Sequence, residues 1–279
     1  MKNVGIIGFG TIGYEIAKSI DSNVIPSARL SFVVDTSTDR LKLASSSLRN
    51  TKPSTFSDPD SLFRSDAYKD THIVVESASR VAVRQFARRI LSSGKYLIIF
   101  SVGELIDEMF MKELESVASS HAAVIHIPTG AIAGIDGIKS ARNHLDRLTI
   151  STIKSPKSLA GAPFFNIHRE IRLAELTVRT VLYEGNVREA IELFPSNVNV
   201  SAALALATGD INKISVRIIV DPSIEVNRHE IVARGNFGII EIVANNIPHF
   251  ENPKTSMLAV LSAIESVRSA CNESIRIGS

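Results

Sequence analysis

The sequence has few of the residues and segments that mark several large classes of protein. A single cysteine, Cys271, among 279 residues excludes a disulfide within the chain and favours a reducing compartment. The formal net charge is only +2, with no block of Lys and Arg, which argues against a nucleic-acid partner. No run approaches the roughly 20 apolar residues of a membrane span, and no targeting signal opens the chain. We therefore expect a cytoplasmic protein with no membrane or nucleic-acid partner.

Metal ligands are also scarce in the sequence. There is no cysteine pair, and no cluster of histidines and carboxylates stands at ligand spacing. Cys271 is interpreted as a small apolar residue of the core. No metal site is predicted.

The first part of the chain alternates short apolar runs with helical patterns. The runs predict strands at 4–7, 30–34, 73–75, 96–100 and 123–127. Helices are predicted at 11–19, 80–91 and 105–119, the second with Ser79 as its N-cap. Because the runs are apolar throughout, both faces of the sheet should be buried, as in a parallel sheet covered by helices. An α/β domain over residues 1–127, with a Rossmann-type doubly wound parallel sheet, is predicted.

The pattern of apolar and polar residues changes after residue 137. Strands are predicted at 148–153, 214–220, 229–233 and 237–243, and helices at 187–193 and 200–208. The Gly235-Asn236 pair is a hairpin signal, and the polar stretch 45–57 is interpreted as a loop. Residues 128–252 should form a smaller α+β domain with a mixed or antiparallel sheet. A helix opening at Pro253, within 253–279, should pack back on the first domain. An exposed face or edge of the second sheet favours a homodimer.

One glycine motif indicates a dinucleotide site. Gly8, Gly10 and Gly13, with Thr11 and Ile12 between them, follow an apolar strand and open a helix. Such a loop gives a tight turn, close approach to a pyrophosphate and a helix N-terminus that favours anions. Asp35 closes the next predicted strand, 22 positions after Gly13, where a carboxylate can bind the adenosine ribose hydroxyls. A carboxylate repels a 2′-phosphate, which favours NAD, while nearby Arg40 keeps NADP open.

Small residues follow the predicted strands where a nicotinamide ring would lie. Ser77, Ala78 and Ser101 are cofactor candidates on this ground, and Thr129 and Ala131 lie after the last strand of the first domain. The alternative is that small residues merely suit tight turns between strands and helices.

Several longer phrases carry a family resemblance. "VVESAS", "FSVGELID", "PTGAIAGIDGIKSA", "FPSNVNVSAALALA", "HEIVARGNFG" and "NPKTSMLAVLSA" occur in this order. They resemble the corresponding segments of the L-aspartate dehydrogenases, over nearly the whole chain. Two departures stand out: Thr129 replaces the usual serine, and Lys154-Ser155-Pro156-Lys157 replaces a Lys-Pro-Pro-like turn.

The resemblance implies an activity and roles for particular residues. The activity is NAD(P)-dependent oxidation of L-aspartate to iminoaspartate, which hydrolyses to oxaloacetate and ammonia and can feed NAD biosynthesis. His229 falls on the family's catalytic histidine, and Ala131 and Asn199 fall on its cofactor-contacting positions. A histidine also suits proton transfer because its ordinary pKa lies near neutral pH.

A substrate with two carboxylates needs cations or hydroxyl groups in its pocket. Thr129, Lys154 and Lys157 are candidates, and Asn197 is a further one, although an asparagine there can also cap a helix. Two alternatives stay open at this stage. One is another two-domain NAD(P)-dependent dehydrogenase, such as a homoserine dehydrogenase, and the other is a non-catalytic NAD(H)-sensing protein.

Overall fold

A computed structural model describes residues 1–195 and 198–272 of the chain. The chain divides into two compact units. The first unit comprises Met1–Pro128 together with the segment that begins at Val260, and the second comprises Thr129–Ala259. Among the described residues, no helix combines the length and the apolar character needed to cross a membrane.

The first unit is a parallel sheet with helices between its strands. The strands are β1 (Lys2–Ile7), β2 (Ala28–Val34), β3 (Ser54–Phe56), β4 (Ile73–Glu76), β5 (Tyr96–Ile99) and β6 (Val124–His126). The helices are α1 (Thr11–Asp21), α2 (Thr38–Ser46), α3 (Pro59–Arg64), α4 (Asp66–Lys69), α5 (Arg80–Leu91) and α6 (Glu108–Ser120). The strand order is β3-β2-β1-β4-β5-β6, and every neighbouring pair is parallel. The predicted doubly wound fold is confirmed, with the order reversing between β1 and β4.

Local signals in the sequence placed these elements well. The continuous apolar runs of β1, β4 and β5 are buried as predicted for strands covered on both faces. Ser79 caps α5, because its hydroxyl accepts a hydrogen bond from the amide of Ala82 at 3.2 Å.

The interpretation of residues 45–57 as a loop is wrong at both ends, because residues 45 and 46 belong to α2. Residues 54–56 form β3, which pairs in parallel with β2. The preceding backbone is held by Asp21, whose carboxylate accepts the amides of Arg49, Asn50 and Thr51 and the Thr51 hydroxyl. The strand is three residues long and mostly exposed, so it carries no apolar pattern that sequence reasoning could detect.

The second unit is a mixed sheet with helices. Its strands are β7 (Leu145–Lys154), β8 (Thr180–Gly185), β9 (Ile214–Val220), β10 (Asn227–Gly235) and β11 (Gly238–Asn246). Its helices are α7 (Ile135–Ser140), α8 (Pro156–Leu159), α9 (Phe164–Ile167), α10 (Val187–Leu193) and α11 (Asn199–Thr208). The order is β11-β10-β7-β9-β8, parallel between β7 and β9 and antiparallel elsewhere. The predicted α+β class and mixed sheet are confirmed.

Two details of the second sheet bear on the predictions. The hairpin signal at Gly235-Asn236 is confirmed, since Gly235 pairs with Gly238 across a two-residue connection. Strand β8 was not predicted. It is an outer strand with an irregular register at Val181–Tyr183 and mostly unburied side chains, so its sequence lacks a clear alternation.

The last helix, α12, runs over Met257–Cys271. It begins four residues later than the predicted start at Pro253, which lies in a turn. The buried residues Ala263, Val267, Ala270 and Cys271 join the core of the first unit, which also contains Val4 and Ile6 of β1. Their three- and four-residue spacing puts them on one face of the helix.

Strand β11 lies at the outer end of the second sheet and exposes apolar side chains. Ile239 and Val243 lie on one face, with the exposed Glu241 between them, and are 58% and 56% exposed. Ile247 and Phe250, in the segment that follows, are exposed as well. An apolar outer strand is a surface that proteins cover, most often by two-fold pairing.

We therefore predict that the chain is a dimer and that Val243→Lys shifts it to the monomer, because a charge cannot be buried in a closed apolar contact. Light scattering at micromolar concentration gives the mass directly. The matched control is Val24→Lys in the first unit, where the valine is 49% exposed. A monomeric mass for the parent protein, or an equal effect of both variants, would contradict the prediction.

Candidate active site

The glycine loop between β1 and α1 has the shape that a dinucleotide requires. Gly8 has a φ of +91°, and a Cβ there would lie 2.6 Å from the Cα of Ala78. A Cβ on Gly13 would overlap the carbonyl oxygen of Gly8, so this glycine allows α1 to pack closely on the loop. A Cβ on Gly10 would meet nothing within 4 Å, and Gly10 caps α1 without a side chain. The open space above Gly10 at a helix N-terminus fits a phosphate group.

Asp35 lies beside this loop. Its carboxylate is mostly buried and accepts the amide of Phe9 at 2.7 Å and that of Ser37 at 2.9 Å. The guanidinium of Arg40, about half exposed, lies 3.4 Å away. The structure therefore brings the glycine loop, Asp35 and Arg40 together at the end of β2, where the adenosine ribose of a dinucleotide lies in this fold.

The other predicted cofactor residues of the first unit meet at the ends of β4 and β5. Ser77 donates from its hydroxyl to the carbonyl of Gly8 at 3.0 Å, and Ala78 lies against Gly8. Ser101 bonds to the buried carboxylate of Glu76. Sequence reasoning did not single out Glu76, although a carboxylate ending the apolar run "IVVE" is a signal for a special environment.

The second unit contains a buried polar cluster on β7 and β10, which we call the histidine cluster (Thr152, Lys154, Asn227 and His229). His229 pairs with Thr152 across the strands, and its Nδ1 lies 3.1 Å from the Thr152 Oγ1. Lys154 and Asn227 each lie two residues further along these strands, at their ends. His229 is 2% exposed, Lys154 is 3% exposed and Asn227 is fully buried.

The electrostatics of this cluster differ from the sequence-based expectation. Burial, together with the charge of Lys154, lowers the pKa of His229 to about 3. The premise of a histidine that titrates near neutral pH is therefore wrong, and His229 is a neutral imidazole at pH 7. Burial, together with the charge of Lys254, lowers the pKa of Lys154 to about 8, so this ammonium is still mostly protonated at pH 7.

The turn that replaces the predicted helix start supplies carbonyl groups to the cluster. Asn227 Nδ2 and Ser158 Oγ both donate to the Pro253 carbonyl, at 3.2 and 3.3 Å. Lys154 Nζ donates to the Lys254 carbonyl at 3.3 Å. The Met257 amide, which in a helix from Pro253 would donate to the Pro253 carbonyl, donates instead to the Ile247 carbonyl, so α12 begins only at Met257.

A buried asparagine connects one predicted cofactor residue to the same end of the sheet. Asn246 pairs with Asn227 in the β10–β11 register, and its Nδ2 donates to the Ala131 carbonyl at 2.8 Å. Thr129, two residues earlier, is exposed. Sequence reasoning missed Thr152, Asn227 and Asn246. Asn227 could have been found, since it continues the buried alternation of His229 along β10.

Two other predicted residues lie apart from the cluster contacts. Asn199 is the exposed first residue of α11. Lys157 is exposed on α8 and makes no hydrogen bond or ion pair with any described residue. The structure therefore does not join Lys157 to Lys154 in one binding site. Asn197 lies outside the described residues.

Comparisons with known proteins match each of the two units to a family model. Residues 136–270 match the family model described as aspartate dehydrogenase, C-terminal, and residues 8–128 match that of the homoserine dehydrogenase NAD-binding domain. The L-aspartate dehydrogenase of Nitrosopumilus maritimus is 41% identical over 278 residues, covering 100% of both chains. That of Methanocella arvoryzae is 38% identical over 279 residues, again covering 100% of both. The chain belongs to the L-aspartate dehydrogenase family.

Solved structures agree with this family assignment. The crystal structure of aspartate dehydrogenase from Thermotoga maritima matches with a TM-score of 0.77 at 28% identity, covering 100% of both chains. A scyllo-inositol dehydrogenase from Lactobacillus casei matches with a TM-score of 0.55 at 15% identity, covering 97% of this chain and 88% of its own, and shows the shared fold alone.

Family membership settles the class of the protein. As an L-aspartate dehydrogenase family member the chain is an oxidoreductase, and NAD is its cofactor. The alternative of a homoserine dehydrogenase is not supported, because the second unit matches the aspartate dehydrogenase model. Within the described residues, no group of three or more His, Cys, Asp or Glu side chains could hold a metal ion.

Two substitutions in the glycine loop separate its role in cofactor binding from its role in folding. We predict that Gly10→Ala weakens NADH binding at least tenfold, because the methyl group fills the space above the helix end. Its folding stability should change by less than about 0.5 kcal/mol, since the methyl group meets no atom of the protein. Gly13→Ala should instead cost about 2 kcal/mol of folding free energy through overpacking.

Fluorescence titration with NADH and urea unfolding of both variants separate the two effects. A Gly10→Ala variant that binds NADH like the parent would show that the phosphates lie elsewhere.

Proposed function

We propose that the protein oxidises L-aspartate to iminoaspartate with NAD, and that iminoaspartate then hydrolyses to oxaloacetate and ammonia. The observation that carries this proposal is the buried ammonium of Lys154 beside the neutral imidazole of His229. No carboxylate of the described residues lies within ion-pair distance of Lys154. Its ammonium group can therefore bind an anion from outside the protein. The names of the relatives support L-aspartate as that anion.

His229 acts as the proton acceptor in this proposal. When Nδ1–H donates to Thr152 Oγ1, at 3.1 Å, Nε2 keeps its lone pair for the substrate. The substrate's ammonium group must lose a proton before its α-carbon can be oxidised, and neutral imidazole is the form that can take this proton. After it has released this proton to solvent, the same imidazole can deprotonate the water that attacks the imine. NAD, when bound, accepts the hydride that leaves the α-carbon.

Lys154 recognises one of the two substrate carboxylates. Among the described residues its one hydrogen-bond partner is the Lys254 carbonyl, so the ammonium keeps donors for an anion. Lys254, whose charge lowers the pKa of Lys154, adds positive potential to the same region. Thr129 and Asn197 remain candidates for the second carboxylate, and Ala131 and Asn199 remain candidates for cofactor contacts. Lys157, which is exposed and apart from the cluster, is left out of the proposed site.

The cofactor preference follows from Asp35. Its carboxylate repels a 2′-phosphate, which favours NAD, whereas the neighbouring Arg40 guanidinium permits some use of NADP. A supply of iminoaspartate to NAD biosynthesis belongs to this proposal on the strength of the family resemblance.

The proposal is tested by following NADH formation with a panel of amino acids. We expect turnover with L-aspartate, much less with L-glutamate, whose extra methylene does not fit the same pair of anion contacts, and less with NADP than with NAD. L-Homoserine, which lacks the second carboxylate, serves as the control. Equal rates with glutamate, or none with aspartate, would contradict the proposed substrate.

Substitutions in the histidine cluster test the two roles separately. His229→Ala should lower kcat by roughly 10²- to 10⁴-fold through loss of proton transfer. Lys154→Met should raise KM for L-aspartate about 30-fold or more, since a desolvated charge pair contributes about 2 kcal/mol or more. His168, which is partly buried, and Lys157, which is exposed, give the matched controls His168→Ala and Lys157→Met, which should leave both constants nearly unchanged.

The pKa of Lys154 also sets a pH dependence. At a pH below the Lys154 pKa of about 8, the ammonium is charged and binds the carboxylate, and at a higher pH the charge is lost. The value of kcat/KM should therefore fall above about pH 8 in the parent, and this fall should disappear in Lys154→Arg, which stays charged. An unchanged profile in the arginine variant would remove Lys154 from substrate binding.

A further inference from the structure

Glu76 is a buried carboxylate that the proposed reaction does not use. It ends β4, in the middle of the parallel sheet, with Ile7 of β1 on one side and Ile99 of β5 on the other. Its side chain is 1% exposed. It lies where the strand order reverses, which is the place where ligands bind in this class of fold.

Four hydrogen bonds converge on this carboxylate, and all of them are donated to it. Oε1 accepts the amides of Ala78 and Ser79, at 2.8 and 3.0 Å, and the Ser101 hydroxyl at 2.8 Å. Oε2 accepts the Ser101 amide at 3.0 Å. An ionised carboxylate satisfies all four donors, because it only accepts. A carboxamide would turn an N–H toward one of them.

These bonds fix the two loops that lie beside the glycine loop. Residues 77–79 follow β4 and Ser101 follows β5, so Glu76 holds the loops of two neighbouring strands together. Ser77 also donates from its hydroxyl to the Gly8 carbonyl, and Ala78 lies where a Cβ on Gly8 would be. The glycine loop itself is held from β2, since the Gly8 amide donates to the Val34 carbonyl and the Phe9 amide donates to Asp35. Glu76 therefore sets the loops after β4 and β5 and not the glycine loop.

Holding this charge is costly for the folded protein. No Lys, Arg or His of the described residues lies within ion-pair distance of Glu76, and burial raises its pKa despite the four hydrogen bonds. A buried carboxylate without a cation lowers folding stability at neutral pH. A neutral side chain could hold two loops together without this loss of stability, so a buried carboxylate is not needed for that purpose alone.

We propose that Glu76 is a positioning residue for the nicotinamide half of NAD. In a doubly wound sheet of this order, the strands β1 to β3 form the half that binds the adenosine end, and β4 to β6 form the half that binds the nicotinamide end. Asp35 serves the first half, and Glu76 sets the backbone of the second. The proposal rests on NAD as the cofactor and not on L-aspartate as the substrate, and it is tested on binding without substrate.

The test compares NADH with ADP-ribose, which has the adenosine end and the pyrophosphate but no nicotinamide. Titration of Glu76→Gln should show NADH binding weakened at least tenfold and ADP-ribose binding changed by less than twofold. With substrate added, kcat should fall by more than tenfold as well. Equal weakening of NADH and ADP-ribose binding, or no weakening of either, would overturn the proposal.

Two further variants keep the result interpretable. Asp21→Asn is the matched control, because Asp21 also accepts three backbone amides and one hydroxyl, yet it holds the 49–51 loop. It should not change the ratio of the two affinities. If Glu76→Gln does not fold, the test uses Ser101→Ala, which removes one of the four donors to Glu76. The proposal then requires NADH binding to weaken at least threefold more than ADP-ribose binding. An unchanged ratio of the two affinities overturns it.

Discussion

The ammonium group of Lys154 is almost removed from water, and its hydrogen-bond partner is a peptide carbonyl and not a carboxylate. Much of the second unit follows from keeping it there. In the turn at residues 252–255, the Lys254 carbonyl accepts the hydrogen bond of Lys154 and the Pro253 carbonyl accepts one from Asn227. The imidazole of His229 is neutral at pH 7 before a substrate binds, because a second charge in a buried space beside the first would be repelled. A buried cation of this kind gains most from an anion, which is what a binding site for a carboxylate requires.

The first unit has the opposite arrangement around Glu76. There a carboxylate is buried without a cation and is held by neutral donors from two loops. Each unit thus buries a charge that has no ion-pair partner among the described residues, the negative charge of Glu76 in the unit that fits NAD and the positive charge of Lys154 in the unit proposed to take a dicarboxylate. Both charges lower the stability of the fold, and neither would be expected in a protein selected for stability alone.

Sequence reasoning succeeded where the signal is local. The glycine loop, the Ser79 cap, the apolar strands of the first sheet and the hairpin at Gly235 each depend on a few neighbouring residues and are seen in the structure. It failed where a long-range contact decides. The short strand β3 is positioned by Asp21, β8 is an outer strand without alternation, and Pro253 is held by Asn227 and Ser158. The neutral state of His229 could not be predicted either, because its pKa depends on burial and on a lysine 75 positions earlier in the chain.

The membership of α12 in the first core affects how the chain is made. The second unit is an insertion between residue 128 and residue 260, and Ala263 and Val267 complete a core that also contains β1 residues. During synthesis from the N-terminus, Val4 and Ile6 are made long before these last neighbours, because the whole second unit is made in between. The second unit, in contrast, has all its strands available before α12 leaves the ribosome. A chain that stops short of residue 260 would therefore present a formed second unit and an open, apolar first one, which is the form that chaperones and proteases recognise.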